Sequence, residues 1–400
     1  MTHAVSAATG ASARLGLSKA GVLYRVLALV ALVALGASYF QPAWWVALRA
    51  PNYPAESFPD GVRINFHVDR VSNGCMLRAS KEILEKEALD CVHEMDTINH
   101  FVGMLPIASG GPVEKLFSPF LFAFLGVLIV GFALPGTGLR LAAMGGGFLA
   151  IAIWMSLALF QPGGAQYLGK GWLTGLVDSL GRSEDEGKAD TMHPIVKQLK
   201  ESLAKSGIGE PAAPKVTAAA SKADILAILK TVHDAKAPVS LTEKAPEWTG
   251  RGIDVMGWHY AESLGRWFNE PDKNGRLVRL MTGVAYVVYA GVLIAMLGFL
   301  WIATKPRSTV FYALAFAPMI LPVAFVIEYA GWLWWYGHSL NAMGAFTLKP
   351  FMPTVFGDGK VAQFSTHSYP HIGFALMCVV GASMAVAALV RRSLPEAEKV

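Results

Sequence analysis

A short stretch from Cys91 to Met104 concentrates side chains that could bind a soft metal ion. Its fourteen residues carry one thiol, two imidazoles, two thioethers and two carboxylates. Thiolate and thioether sulfur favour copper, above all Cu(I), and imidazole also suits copper. On a helix, residues three or four positions apart share a face, so several of these groups could converge. The candidate metal ligands in this stretch are Cys91, His93, Met95, His100 and Met104.

Two further histidines near the C-terminal end extend this candidate set. His367 and His371 are four residues apart and precede the last apolar segment. The Tyr-Pro pair between them argues against one unbroken helix, yet both imidazoles could converge at the mouth of that segment. Cys75 gives Cys91 a second interpretation, because the two thiols could form a structural disulfide in an oxidising compartment. The sequence leaves ligation and disulfide formation open.

The composition predicts an integral membrane protein. The chain of 400 residues is 54% hydrophobic and 16% charged, with a mean hydropathy of +0.42, which is far more apolar than a soluble domain. Three cysteines are too few for a disulfide scaffold. A net charge of +5 without a Lys/Arg-rich run gives no sign of nucleic-acid binding.

Six apolar segments are long enough to cross a bilayer. They are expected at 21–40, 117–134, 139–160, 280–303, 310–332 and 372–390. The predicted fold class is therefore an all-α polytopic membrane protein with about six transmembrane helices and small α/β extracytoplasmic regions. The charged start of the first segment is typical of a signal peptide, but its length favours an uncleaved anchor.

Basic residues in the short connections predict the orientation of these segments. When six spans are threaded, one side collects the basic N-terminus and Arg140, Lys305, Arg307, Arg391 and Arg392. Both tails, 1–20 and 391–400, are then cytoplasmic in a protein of the inner membrane. The three long polar regions, 41–116, 161–279 and 333–371, are expected in the periplasm.

Local patterns predict a few elements within the polar regions. Residues 61–69 alternate apolar and polar side chains, which predicts a strand with Val62, Ile64, Phe66 and Val68 on one face. The Trp-Trp pair at 44–45 is typical of an interfacial aromatic belt. Residues 251–268 have apolar side chains at helical spacing, which predicts a helix lying on a membrane surface or another loop.

Glu328 is an unusual residue late in the fifth apolar segment. An ionisable group at membrane depth is costly and by default indicates a proton or ion path. Its position near the outer end of the segment equally fits structural pairing with His338. The chain has no phosphate-binding Gly-rich loop and no Cys-x-x-Cys-His haem motif, so neither a nucleotide nor a haem site is predicted.

Two stretches resemble signatures of one membrane-protein family. Asn99-His-Phe-Val-Gly-Met104 is similar to an Asn-His-Tyr-Ile-Gly-Met signature, with conservative departures at Phe101 and Val102. The segment 344–370 is similar to a second signature. Both resemble multi-pass membrane proteins associated with nitrous oxide reductase gene clusters. The resemblance implies an accessory role beside a periplasmic copper enzyme, in metal delivery, assembly or electron supply.

The sequence therefore favours a non-enzymatic membrane protein that supports a periplasmic copper enzyme through a copper-handling or partner-docking surface, as in nitrous oxide respiration. Copper is the expected cofactor, and the expected partners are membrane lipid and a periplasmic copper or redox protein. Two other classes stay open: a non-metal scaffold or electron-transfer subunit, and a proton-coupled transporter using Glu328. The regions around His100 and His367 are expected to meet over the outer membrane face.

Overall fold

The structure, a computed structural model, describes residues 18–75, 89–186, 220–236, 247–268, 270–346, 348–361 and 363–395. Its helices are α1 (Lys19–Phe40), α2 (Cys91–Phe101), α3 (Pro112–Ala133), α4 (Thr137–Phe160), α5 (Lys170–Glu186), α6 (Lys222–Lys236), α7 (Gly252–Gly265), α8 (Pro271–Ala303), α9 (Ala313–Met319), α10 (Leu321–His338) and α11 (Ile372–Arg392). Its strands are β1 (Trp44–Arg49), β2 (Val62–Phe66), β3 (Val71–Asn73), β4 (Gly357–Val361) and β5 (Phe364–Pro370).

Five helices in the described ranges are long and apolar enough to cross a membrane: α1, α3, α4, α8 and α11. They correspond to five of the six predicted apolar segments. α1 packs along α11 and beside α3, which in turn packs on α4. The buried face of α1 carries small residues such as Ala28 and Ala31, which let neighbouring helices approach closely.

The segment predicted as one span at 310–332 is bent. Its axis turns by 52° between α9 and α10. Pro318 lies inside α9 and Pro322 in the first turn of α10. Proline lacks an N–H donor and clashes with the preceding turn, which explains the break. The expected continuous helix is therefore corrected to a broken pair, and α10 continues beyond the predicted end to His338.

The sheet joins segments from both ends of the chain. Its strand order is β3-β2-β1-β5-β4, and all pairs are antiparallel. β1 follows α1 directly and β5 leads directly into α11, so the packing of α1 on α11 brings the two strands together. We call this the sheet end of the helices. The opposite end, where Arg140, Lys305, Arg307, Arg391 and Arg392 lie, is the basic end.

The sheet confirms one local prediction and corrects another. β2 covers the predicted strand, and its Val62, Ile64 and Phe66 are buried. Val68, assigned to the same face, lies beyond the end of β2 and is half-buried. The expected aromatic belt is a strand instead. Trp44 is 2% exposed within β1, and its indole Nε1 donates to Ser368 Oγ at 2.9 Å.

A disulfide fixes α2 to this sheet. Cys75 follows β3, Cys91 begins α2, and their sulfur atoms are bonded across a Cα–Cα distance of 6.0 Å. The Asp90 side chain caps the same helix start by accepting from the Val92 and His93 amides at 3.1 Å. The structure thus selects the disulfide interpretation of Cys91. Ser80, with Glu85 nearby, also predicts the start of a helix, and the mixed charges of 182–215 predict a solvated face; the first stretch and residues 187–215 of the second lie outside the described residues.

Candidate ligand cavity at the sheet end

A cavity of about 180 Å³ lies between the sheet, α2 with the residues that follow it, α10 and the segment before β4. The sheet supplies its floor with the apolar side chains of Val46, Leu48, Ile64 and Phe66. Phe325, Tyr329 and Trp332 of α10 form one wall. Ligand sites in proteins are typically apolar cavities of this kind with a few convergent polar groups.

Both signature segments line this one cavity. Asn99, Val102 and Met104 come from the first, and Phe351 and Thr366 come from the second. The structure therefore confirms that the two regions meet in space. The imidazoles of the two regions do not take part, because neither belongs to the lining.

Backbone hydrogen bonds join the first signature to the start of the second and to Asn341 just before it. The Phe346 amide donates to the Phe101 carbonyl at 3.0 Å, and the Asn341 amide donates to the Gly103 carbonyl at 2.7 Å. Gly103 has a φ of 79°, and a Cβ there would lie 2.5 Å from the Asn341 carbonyl oxygen. Only glycine tolerates both this φ and the close carbonyl of Asn341. This explains physically why the first signature has glycine at position 103.

Glu328 supplies the cavity with a carboxyl group from α10. Among the described residues that line the cavity, it alone carries a formal charge. Gly110 approaches it so closely that a Cβ on Gly110 would lie 2.7 Å from Glu328 Oε1. The predicted partner His338 is engaged elsewhere: its ring stacks on Trp334 at 4.5 Å, and its Nδ1 lies 2.8 Å from the Trp334 carbonyl oxygen. The pairing of Glu328 with His338 is therefore corrected.

The predicted metal ligands are distributed over several environments. Met95 and Met104 line the cavity. Cys91 is in the disulfide, and a disulfide sulfur is not a thiolate ligand, so Cys91 leaves the predicted set. His93 lies half-buried on α2 outside the cavity lining. Within the described ranges, no three His, Cys, Asp or Glu side chains form a group that could hold a metal ion.

The other three predicted histidines have structural partners. His100 stacks on Trp267 with ring centroids 5.0 Å apart. His367 Nδ1 lies 2.6 Å from Asp358 Oδ1 across the β4–β5 pair. His371 precedes α11, and its Nδ1 accepts from the Ile372 amide at 2.8 Å. These contacts assign the three rings to packing and capping rather than to one shared site.

Two side chains beside the sheet, His67 and Asp358, have shifted pKa values for different reasons. Burial lowers the pKa of His67 to about 4, with smaller contributions from the Arg70 and His371 charges. Its Nε2 lies 3.0 Å from Ser72 Oγ. At exposed Asp358, hydrogen bonds from His367 and Tyr369 lower the carboxyl pKa. The His67 ring is thus held neutral, whereas the Asp358 carboxylate is held charged.

The helix α7 does not cover this cavity. Its His259 lies 2.7 Å (Nε2) from Ser179 Oγ of α5, and Tyr260 lines a smaller neighbouring cavity of about 40 Å³. Trp332 and Tyr336 of α10 line both cavities and so separate them. α7 therefore lies behind this aromatic wall.

Sequence reasoning identified Glu328 but missed the aromatic residues around it. Phe325, Tyr329, Trp332 and Tyr336 recur at four, three and four residues along α10. That spacing forms one stripe on a helix, which is the signal that could have found them. The stripe is hard to recognise from the sequence because the whole segment is apolar, as a lipid-facing span is.

Comparisons of the chain with protein-family models, with curated proteins and with solved structures found no match. The resemblance to nitrous oxide-associated membrane proteins therefore stays a prediction. Function has to be argued from the site itself.

Proposed function

We propose that this chain is a membrane-embedded accessory protein that holds a small, mainly apolar ligand in the cavity beside Glu328. The observation that carries the proposal is the shared cavity of about 180 Å³, built by both signature segments, the sheet and α10. Residues more than two hundred positions apart converge on it. Such a shaped, largely apolar space with one carboxyl group is suited to binding.

The proposed placement puts the sheet end outside the inner membrane and the basic end in the cytoplasm. The Cys75–Cys91 disulfide supports this orientation, because disulfides persist in oxidising compartments such as the periplasm. The basic residues of the short connections support it as well, since cytoplasmic loops are enriched in Lys and Arg. Five apolar helices provide the membrane-length segments.

The lining indicates what kind of ligand would fit. Its walls are apolar and aromatic, which favours an apolar body. The Glu328 carboxylate would attract a cationic or hydrogen-bond-donating group on that body. The faces of Phe325, Tyr329 and Trp332 nearby also suit a cation. The proposed ligand class is thus a small amphiphile with an apolar body and an amine-like or donor head.

Native mass spectrometry of the detergent-purified chain tests this function. We expect wild-type protein to retain a small molecule that Val102→Phe, which fills the cavity, excludes. Val287→Phe makes the same exchange at a residue 71% exposed on α8 and is the matched control. Glu328→Gln should weaken retention about tenfold or more, because a charge-assisted hydrogen bond is lost. The bare chain mass for wild type and all variants would contradict the proposal.

A second candidate, copper handling for a periplasmic enzyme, is favoured by one observation. The thioethers of Met95 and Met104 both line the cavity, and thioether sulfur selects Cu(I). Leucine has a similar volume, so Met95→Leu with Met104→Leu should keep the fold while removing both sulfur ligands. We expect the double variant to lose Cu(I) to a bathocuproine chelator at lower chelator concentration. Met343→Leu, at a residue 60% exposed, is the control. Equal retention by all three proteins would end this candidate.

A further inference from the structure

One segment of the sheet end carries apolar side chains on both of its faces. We call residues 348–356, which lead into β4, the cover segment. Its inner face lines the cavity with Leu348, Phe351, Pro353 and Thr354. Its outer face presents Met352 and Phe356, which are 45% and 66% exposed. Exposed apolar side chains that are close together mark a contact with another protein or with a membrane.

Hydrogen bonds at both ends hold the cover segment in place. The Phe351 amide donates to the Gly337 carbonyl of α10 at 3.1 Å, and a Cβ on Gly337 would collide with the Phe351 carbonyl. Toward β4, the Ser368 hydroxyl donates to the Val355 carbonyl at 2.8 Å. The outward direction of the exposed side chains is therefore set by the fold.

The register of β4 on β5 places the end of the cover segment beside a membrane-length helix. Gly357, the first residue of β4, pairs with Ser368 of β5. The ring centroid of Phe356 lies 5.7 Å from that of Tyr369, shortly before α11 begins at Ile372. Ile372 is itself exposed. Phe356 thus lies at the end of the sheet from which the chain enters α11.

A second exposed apolar surface leads along α10 to the cover segment. Val323, Ile327 and Trp334 are all exposed, and their separations of four and seven residues place them on one face of the helix. This stripe ends one turn before Gly337, where the cover segment contacts the helix. Another face of α10 lines the cavity. The outer surface of α10 and that of the cover segment are therefore neighbours and alike.

The charge of this part of the chain also differs from that of a water-facing loop. From Tyr329 to Gly357 there is no Asp or Glu, and Lys349 alone represents Lys and Arg. The β1–β2 loop at the far end of the same sheet instead exposes Asn52 and Glu56. A long Lys side chain can reach water or headgroups from apolar surroundings. The composition of the cover segment thus suits a lipid interface.

We propose that the cover segment and the exposed stripe of α10 lie in the outer interfacial layer of the bilayer, with phospholipid as their partner. Apolar and aromatic side chains are stable in that layer. The irregular backbone of the segment can be accommodated there, because headgroups and water still reach its polar groups. The inference rests on the membrane placement proposed above and does not require a ligand in the cavity.

Fluorescence quenching in lipid nanodiscs tests this surface. Single cysteines are introduced by Met352→Cys or Phe356→Cys and labelled with nitrobenzoxadiazole, in a background with Cys378→Ser that keeps the native disulfide. Ile294→Cys, at an exposed residue of α8, is the lipid reference, and Glu56→Cys is the water reference. The quenchers are phosphatidylcholine with a doxyl group near the top of its acyl chain and aqueous iodide.

The expected result is a lipid-like response at both test positions. Doxyl lipid should quench Met352→Cys and Phe356→Cys at least about twofold more strongly than Glu56→Cys, and iodide should quench them correspondingly less. Quenching by iodide as strong as at Glu56→Cys would show a water-facing segment and overturn the proposal. Shielding from both quenchers would show a cover of protein, either a second copy or another part of this chain, and would equally overturn it.

The reference position separates this inference from the proposed function. If doxyl lipid quenches Ile294→Cys but neither test position, only the inference about the cover segment is wrong. If Ile294→Cys is not quenched either, the membrane placement itself is wrong. Should Phe356→Cys fail to fold because it loses the contact with Tyr369, the response of Met352→Cys decides alone.

Discussion

Two buried arginines at opposite ends of the helices have their charges compensated in different ways. At the sheet end, Arg266 Nη1 lies 3.6 Å from Asp96 Oδ2, and the two side chains are 4% and 1% exposed. At the basic end, Arg140 is equally buried but meets two carbonyl groups and an aromatic ring. The sheet end therefore neutralises Arg266 with its own carboxylate, whereas the contacts of Arg140 are with carbonyl dipoles and a ring.

This difference follows from how the two ends are built. The sheet end assembles α2, α7, α10 and five strands, so many polar side chains are available as partners. In the part of the chain that the structure describes, the basic end consists of short connections between helices. Asp96 also accepts from the Ile107 amide at 2.6 Å, which fixes the chain beside the cavity. The internal pair at the sheet end thus helps to hold the chain that lines the cavity.

The largest effect is expected from a test of which end faces which compartment. A reporter active only in the periplasm should be active when fused after Gly163 or Lys349 and silent after Pro306. The reason is that positive charge at the basic end holds that end in the cytoplasm. The opposite reporter pattern would mean that the sheet end faces the cytoplasm, where the disulfide would not lie in an oxidising compartment.

Breaking the internal pair at the sheet end should strongly destabilise the protein. Asp96→Asn removes the buried carboxylate that faces Arg266, for which we expect a loss of about 3–5 kcal/mol in unfolding free energy. Lys273→Ala is the control, since the Lys273–Glu270 pair is exposed and should contribute less than about 1 kcal/mol. Thermal or denaturant unfolding in detergent measures both. Similar losses for the two variants would contradict the distinction between buried and exposed pairs.

Removal of the disulfide should have the next largest effect. Cys75 and Cys91 close a loop with a sequence separation of 16, for which chain entropy predicts a stabilisation of about 3 kcal/mol. The double serine variant should therefore melt earlier than wild type and, unlike wild type, should not respond to a reductant. Cys378→Ser removes the free thiol and is the control. A reductant-sensitive double variant would show that another bond is involved.

A smaller, pH-dependent effect is expected at His67. Its folded pKa of about 4 lies below the ordinary value of 6.5, so only the unfolded chain takes up this proton between those pH values. Stability from this group is then complete above about pH 6.5 and declines as the pH falls toward about 4. His67→Asn should flatten that part of a plot of melting temperature against pH. An unchanged slope would assign the acid sensitivity to other groups.

The sequence was sufficient for features that depend on local composition. Apolar length alone located the five membrane-length helices, and alternation located β2. Glu328 and the two signature segments, which the sequence singles out, all line one cavity. The cost of burying a charge and the periodicity of a helix or strand depend on residues that are close in sequence. A single sequence is therefore enough to reveal them.

Tertiary structure decided the features that depend on distant partners. β1 became a strand rather than an aromatic belt because β5, more than three hundred residues away, pairs with it. The contacts of three candidate ligands, the imidazoles of His100, His367 and His371, are with Trp267, Asp358 and the start of α11, and none of these partners is evident from the sequence. Asp96, one of two carboxylates in its stretch, was fixed as an ion-pair partner only by Arg266. Hydrogen bonds, ring contacts and ion pairs act over a few ångströms, and the sequence does not say which distant groups the fold brings that close.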